Sequence, residues 1–174
     1  IDKGYLTEAI LNYILLLGWA PKGEQEIFTL DEMIEAFDFS GISKSPAIFD
    51  GLKLKAINAQ YVRALPIEKF MEYATPYIRQ TCKREDIDIK LLCTTLQPRA
   101  ELFTDIPAQV DFIDELPAYD LELYTSKKMK TNPSTALEAL KKILPVLEEL
   151  TAFDHDTVHD ALFALIEREG VKNG

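Results

Sequence analysis

Residues 43–63 read SKSPAIFDGLKLKAINAQYVR, and the change of pattern inside this stretch sets how the chain is organised. Pro46 fixes its own φ and holds Ser45 away from helical backbone, so the stretch begins extended or turned. Ala47, Ile48 and Phe49 form a short apolar run closed by Asp50–Gly51, a turn-prone pair whose Asp can cap a helix starting there. From Leu52 the spacing is helical. Leu52, Ala56, Ala59 and Val62 recur at three and four residues, and Leu54, Ile57 and Tyr61 widen the stripe. Lys53, Lys55, Asn58 and Arg63 are left as the polar complement. A helix with a basic, amide-bearing outward face in an acidic chain is a candidate contact for an anionic partner.

The helical period extends in both directions. Upstream, Thr7 and Glu8 open a helix with an apolar stripe of Ala9, Ile10, Tyr13, Ile14, Leu16 and Leu17. Gly18 ends it, Pro21 forbids continuation, and Trp19 is expected to pack back on the helix it leaves. Thr29 with Glu32 reads as a capping box for a short helix over 30–37, and Phe39–Ser40–Gly41 reads as a turn. Downstream, Leu65–Pro66 breaks the chain before a helix over 67–74. Breaks are expected at Pro76, Pro98, Pro107 and Pro117, with Asp86 capping a helix over 87–96. Asn132–Pro133–Ser134 starts a helix whose buried face is read as Ala136, Leu137, Leu140, Ile143, Leu144 and Leu147, kinked at Pro145. A last helix begins after Asp154 with Val158, Ala161, Leu162, Leu165 and Ile166 inward, stopped by Gly170. No strand alternation is present, so the fold class is all-α, a helical bundle.

Hydrophobic residues are 47% and charged residues 28% of the 174, ordinary for a globular protein. The net charge of −10 argues against general nucleic-acid affinity, which needs a basic excess. No third of the chain supplies one. Residues 1–70 carry 7 basic and 10 acidic groups, 71–130 carry 8 and 11, and 131–174 carry 4 and 8. Cys82 and Cys93 lack a CxxC spacing and read as reduced thiols. The apolar run over 10–18 is too short to span a bilayer, no signal peptide is evident, and the protein reads as cytoplasmic and free of membranes. His155 and His159 share a helix face beside Asp156 and Asp160, but this HxxxH lacks a third ligand and reads as a solvated face, so no metal is expected.

SKSPAIFD, followed by Lys53–Leu54, Asn58 and Tyr61–Val62–Arg63, resembles the segment behind the catalytic domain of bacterial glutamyl-tRNA synthetases. The family pattern there is S-K-x-P-A-x-F-D-x-x-K-L-x-W-x-N-x-x-Y-I. Ala56 stands where the family has Trp, so a large side chain nearby, Trp19 or Phe49, is expected to fill the space. GYLTEAILNYILLLGWAPKG, at 4–23, resembles the same family's G-Y-L-P-E-A-L-L-N-Y-L-A-L-L-G-W-S-P, in the family's order and at its separation. LQPRAELFTDIPAQVDFI, at 96–113, matches more loosely, with Arg99 at a family Arg. The His-Ile-Gly-His and Lys-Met-Ser-Lys-Ser signatures that hold ATP in the family are not in this sequence, and Lys127–Lys128–Met129–Lys130 lacks the Ser.

The resemblance implies the tRNA-binding C-terminal part of a glutamate–tRNA ligase, with no catalytic residues, inactive alone, and a monomer. Residues 1–66 would be a stem-contact subdomain, 67–130 an anticodon-binding subdomain, and 131–174 the start of a last, truncated subdomain. Partners would be glutamate tRNA and the catalytic domain of the same polypeptide. ATP and Mg would belong to the full-length enzyme and no cofactor to this stretch. Arg99 corresponds to the Arg that helps discriminate the last anticodon base. A planar guanidinium suits base edges and stacks on unpaired bases, but Arg99 could equally cap a helix C-terminus. Arg79, Lys83 and Arg84 read as a phosphate-contacting patch or as a salt-bridged surface beside Glu85, Asp86 and Asp88. Lys44, Lys53, Asn58 and Arg63 are candidate contacts for the tRNA stem. The competing reading is an acidic all-helical protein–protein interaction module with no RNA role.

Overall fold

The computed structural model describes residues 3–116 and 118–170. The expected break at Pro117 and the residues after Gly170 lie outside them. The α-helices are α1 (Thr7–Gly18), α2 (Leu30–Ala36), α3 (Gly51–Ala64), α4 (Ile67–Thr81), α5 (Ile89–Leu96), α6 (Ile106–Gln109), α7 (Pro133–Glu148) and α8 (His155–Glu169). Short 3-10 turns lie at Phe39–Gly41, Gln97–Arg99, Phe103–Asp105 and Leu121–Tyr124. Among the described residues, extended pairing is limited to two isolated bridges, Trp19 with Ile42 and Ser126 with Thr131. The fold is all-α.

By compactness the chain divides into two units, Ile1–Pro117 and Ala118–Gly174. In the first, the helical period meets its partners in one core: Ala9 and Tyr13 of α1, Leu54, Ile57 and Val62 of α3, Phe70, Ala74 and Ile78 of α4, and Cys93 and Leu96 of α5. This core runs across Pro66, so the expected boundary there separates no pair of cores. Phe103 is its aromatic centre, with ring centroids 5.7 Å from Phe70, 5.6 Å from Tyr73 and 6.1 Å from Tyr77.

Trp19 does pack back on α1. It forms a second cluster with Phe28 and Met33, against Leu15 and Leu16. Its indole N–H donates to the Asp38 carbonyl at 3.0 Å. The 38–43 segment lies across the indole and is tied by Ala20 N–H to Gly41 O and Ser43 N–H to Gly18 O, both 2.9 Å. A Cβ on Gly41 would collide with the Trp19 ring, so only glycine admits this approach.

Local caps form where the residues suggest. Thr29 Oγ1 accepts from Glu32 N–H at 3.3 Å, and Glu32 accepts from Thr29 N–H at 2.6 Å. Asp50 accepts from Leu52 and Lys53 N–H at 2.9 and 3.1 Å, and Asn132 from Ser134 and Thr135 N–H at 3.0 Å each. Three expectations change. α4 passes through Pro76 to Thr81, because the buried Phe70, Ala74 and Ile78 hold the helix despite one missing N–H donor. α5 starts two residues later than expected, with Asp88 accepting from Leu91 N–H at 2.9 Å, while Asp86 faces Arg84 instead. The inward face of α3 is rotated: Leu54, Ile57, Asn58, Ala59 and Val62 are buried, whereas Leu52 and Ala56 are exposed.

The space expected around Ala56 therefore does not exist. Trp19 is engaged with Phe28 and Phe37, and Phe49 packs edge-on against Tyr13 at 5.5 Å. An Ala56→Trp substitution is expected to change the unfolding free energy by no more than about 0.5 kcal/mol, as for other surface changes. Urea denaturation followed by circular dichroism measures it, and a loss above about 2 kcal/mol would mean that a core is being overpacked.

In the second unit, α7 and α8 form a helical hairpin. Gly170 closes α8 at φ +61°, and Lys142 pairs with Glu169 at 2.8 Å. Val158, Ala161, Leu162, Leu165 and Ile166 turn inward to differing degrees, with Leu165 buried. Leu137, Leu140 and Leu144 of α7, expected inside, remain about half exposed, because a two-helix layer covers only one side of each helix. α7 continues past Pro145 to Glu148. Residues 126–131 are an ordered turn. Ser126 and Thr131 exchange two backbone hydrogen bonds of 3.1 Å, and Lys130 takes φ +55°.

Candidate nucleic-acid interface

Arg99 closes the 3-10 turn after α5, and that turn is held from two sides. Gln97 Nε2 donates to the carbonyls of Val62 and Leu65 at 3.0 and 2.8 Å, which ties the turn to the C-terminal end of α3 and its cap residue. Ala100 is fully buried. Between these anchors Arg99 is exposed, and among the described residues its guanidinium makes no hydrogen bond or ion pair. The structure therefore provides no helix carbonyl for Arg99 to cap. Its planar set of donors is free, and its backbone neighbours are anchored on both sides. Gln97 is a support for this turn that sequence pattern missed, since a Gln beside Pro98 carries no signal of which carbonyls it will reach.

Arg79, Lys83 and Arg84 are brought together, though not on one helix face, because α4 ends at Thr81. They build its C-terminus. Lys83 Nζ donates to the Arg79 and Gln80 carbonyls at 2.5 and 2.9 Å, where a cation is favoured by the helix dipole. Arg79 donates to the Arg84 carbonyl. Arg84 makes a two-pronged pair with Asp86 at 3.0 and 2.7 Å, which raises its pKa and lowers that of Asp86. Asp114 closes the turn by accepting from Lys83 N–H at 2.5 Å, Arg84 N–H at 3.3 Å and the Cys82 thiol at 3.2 Å. The Lys83 N–H is the main reason that the Asp114 carboxyl lies below the usual carboxylate range. Burial, then Asp114, pushes the Cys82 thiol up. The salt-bridged alternative thus describes Arg84, and any phosphate at this patch would compete with partners already in place.

The stem candidates separate. Lys44 and Arg63 are exposed and unpaired among the described residues. Lys53 pairs with Glu26 at 2.8 Å on the rim of a cleft lined by Tyr13, Leu16, Leu17, Ile48 and Asp50. Asn58 is a correction, since it is fully buried and its amide is used at both ends. Its Oδ1 accepts from Leu6 N–H at 2.8 Å, and its Nδ2 donates to the Glu101 carbonyl at 2.5 Å. It therefore offers nothing to solvent. A buried polar group must find partners or lose free energy, and Asn58 finds them across the core. Lys55 pairs with Glu101 at 2.8 Å and Asp105 at 3.4 Å. Tyr61 is partly buried and donates to the Phe28 carbonyl at 2.5 Å.

The two histidines stack 6.0 Å apart, each with Nδ1 on the following Asp, at 2.8 and 3.1 Å. Among the described residues no group of three or more His, Cys, Asp or Glu side chains is placed to hold a metal ion. No helix among them is long and apolar enough to cross a membrane.

The family model described as "Anticodon binding domain" matches residues 69–174, and that described as "tRNA synthetases class I (E and Q), catalytic domain" matches residues 1–56. A glutamate–tRNA ligase of Clostridium acetobutylicum is 48% identical over 174 residues, all of this chain and 36% of that protein. One from Lachnoclostridium phytofermentans is 42% identical over 174 residues, all of this chain and 35% of the relative. Among solved structures, a glutamate tRNA ligase from Elizabethkingia meningosepticum in complex with its amino acid aligns with a TM-score of 0.77 and 27% identity, over 97% of this chain and 33% of that one. The chain thus spans about a third of the length of these relatives. With residues 69–174 matched, the chain belongs to the anticodon binding domain family, and its relatives at this similarity are glutamate–tRNA ligases.

Proposed function

We propose that this chain is the tRNA-gripping part of a glutamyl-tRNA synthetase, with Arg99 reading the last base of the glutamate anticodon. The observation that carries the reading is the free guanidinium of Arg99 on a turn pinned by Gln97. Such a group is ready to make bidentate bonds to a base edge or to stack on one, without first breaking an internal contact. Arg79, Lys83 and Arg84 are secondary candidates for phosphate contact, with Lys44, Lys53 and Arg63 on the stem side. The proposed role is positional: the correct anticodon seats the tRNA so that its acceptor end meets a catalytic domain elsewhere in the same polypeptide. ATP and Mg chemistry is assigned to that domain and to no residue of this chain, which alone would be inactive. A cytoplasmic monomer is the proposed working state. The match to an anticodon binding domain does not favour the protein-interaction alternative.

The test is aminoacylation by the full-length enzyme, with cognate tRNA and with tRNA altered at the last anticodon base. Arg99→Ala is expected to remove about 1–3 kcal/mol of discrimination, the cost of a lost bidentate base contact. Equal loss of activity on both tRNAs would make Arg99 a structural residue, and no change in rate or ratio would take it off the RNA surface.

A further inference from the structure

Residues 3–6 lead into α1 and are tied to residues 101–104. Phe103 N–H donates to the Gly4 carbonyl at 3.3 Å. Thr104 Oγ1 donates to the Lys3 carbonyl at 3.1 Å across 101 positions of sequence. Asn58 bridges the two segments from inside the core, accepting from Leu6 N–H and donating to the Glu101 carbonyl. Gly4 takes φ +78°, and a Cβ there would lie 2.7 Å from Thr104 N and 3.0 Å from Phe103 N. The two backbones could not approach so closely with any other residue at position 4. Outside the core, Lys55 holds Glu101 and Asp105. Among the described residues, the hydrogen bonds and ion pairs that join 1–56 to 69–174 all lie in this clasp. Arg99 stands two residues before Glu101, with the buried Ala100 between them.

We propose that Asn58, with the Gly4–Phe103 and Lys3–Thr104 bonds, is a positioning clasp that fixes the Arg99 turn to the stretch of chain matched to the catalytic domain. The inference rests on the proposed reading of Arg99. Anticodon recognition raises the rate of aminoacylation only if the reading turn and the catalytic domain keep one geometry, since displacements near 1 Å degrade a reacting alignment. Satisfied hydrogen bonds deep in a packed core resist such displacement better than exposed ion pairs, which water and salt weaken. Asn58 touches neither RNA nor substrate in this scheme. It acts through the backbone on either side of it.

The experiment compares full-length Thr104→Val, Asn58→Ala and Arg99→Ala enzymes by the ratio of kcat/KM for cognate tRNA to that for tRNA altered at the last anticodon base. This ratio is independent of the fraction of enzyme that is folded. Thr104→Val loses one exposed bond, and Asn58→Ala loses the inner bridge. Both are expected to shrink the ratio by roughly 2- to 30-fold, the range seen for residues that couple two sites without touching a ligand. The loss should fall in kcat, with KM for cognate tRNA unchanged, because Arg99 still binds the anticodon. If Asn58→Ala does not fold, Thr104→Val decides. A wild-type ratio in Thr104→Val beside a collapsed ratio in Arg99→Ala overturns the clasp and leaves the reading of Arg99 intact. A wild-type ratio in Arg99→Ala overturns both.

Discussion

Replacing Phe70 with Ala is expected to lower the unfolding free energy of the first unit by about 3–5 kcal/mol, the cost of emptying a large aromatic site in a packed core. Phe70 is fully buried and lies 5.7 Å from Phe103, which is itself wedged against Tyr73 and Tyr77. Collapse into the cavity is restricted, because Phe103 is tied to Gly4 through its own backbone and the neighbouring Ile78 and Ile106 have no exposed surface. The loss should sit at the upper end for that reason. Trp19 is the one tryptophan of the chain and is buried in the first unit, so its fluorescence during urea unfolding reports this unit apart from the α7–α8 hairpin. Phe70→Leu should recover part of the loss. A change below about 1.5 kcal/mol would mean that the α4 core relaxes around the hole.

Asn12→Leu is expected to be as damaging, though it adds apolar surface. Asn12 has no exposed surface and joins three parts of the chain. Its Nδ2 donates to the Glu26 carbonyl at 2.7 Å, and its Oδ1 accepts from Phe28 N–H and from the Tyr61 hydroxyl, both at 2.8 Å. A leucine of similar size leaves the Phe28 N–H and the Glu26 carbonyl without partners. Each orphaned buried group costs about 1–3 kcal/mol, so a total near 3–5 kcal/mol is expected. Tyr61 keeps the Phe28 carbonyl, which limits the damage there. The same fluorescence-monitored unfolding measures it. A stabilised or neutral Leu variant would show that the network contributes no net stability, as happens when both partners of a polar contact are dispensable.

The acidic balance of the chain also becomes intelligible. Lys22, Lys53, Lys55, Lys69 and Lys90 are all paired with carboxylates, so much of the basic charge is answered internally. Arg99, Arg63 and Lys44 have no such partner among the described residues. On the proposed reading, a few free cations on an acidic body would suit recognition of one folded tRNA better than general affinity, which grows with the number of phosphates neutralised.

What the amino-acid sequence determined by itself is most of the helices and several of their ends. Thr29 with Glu32, Asp50, Asn132 and Gly170 act on backbone groups within three residues of themselves, so spacing along the chain contains all the geometry that they need. The family resemblance carried by residues 4–23 and 43–63 was legible in the same way. The tertiary structure alone decided which side of α3 faces inward. Asn58 looks like a surface amide until Leu6 and Glu101, 52 and 43 positions away, supply its partners, and Leu52 looks like core until nothing covers it. It also decided that α4 passes Pro76, that Lys83 is spent on a helix end and that Arg84 is spent on Asp86. Burial of a polar group, or exposure of an apolar one, depends on what other segments bring to it, and that information is held in contacts between residues far apart in the chain.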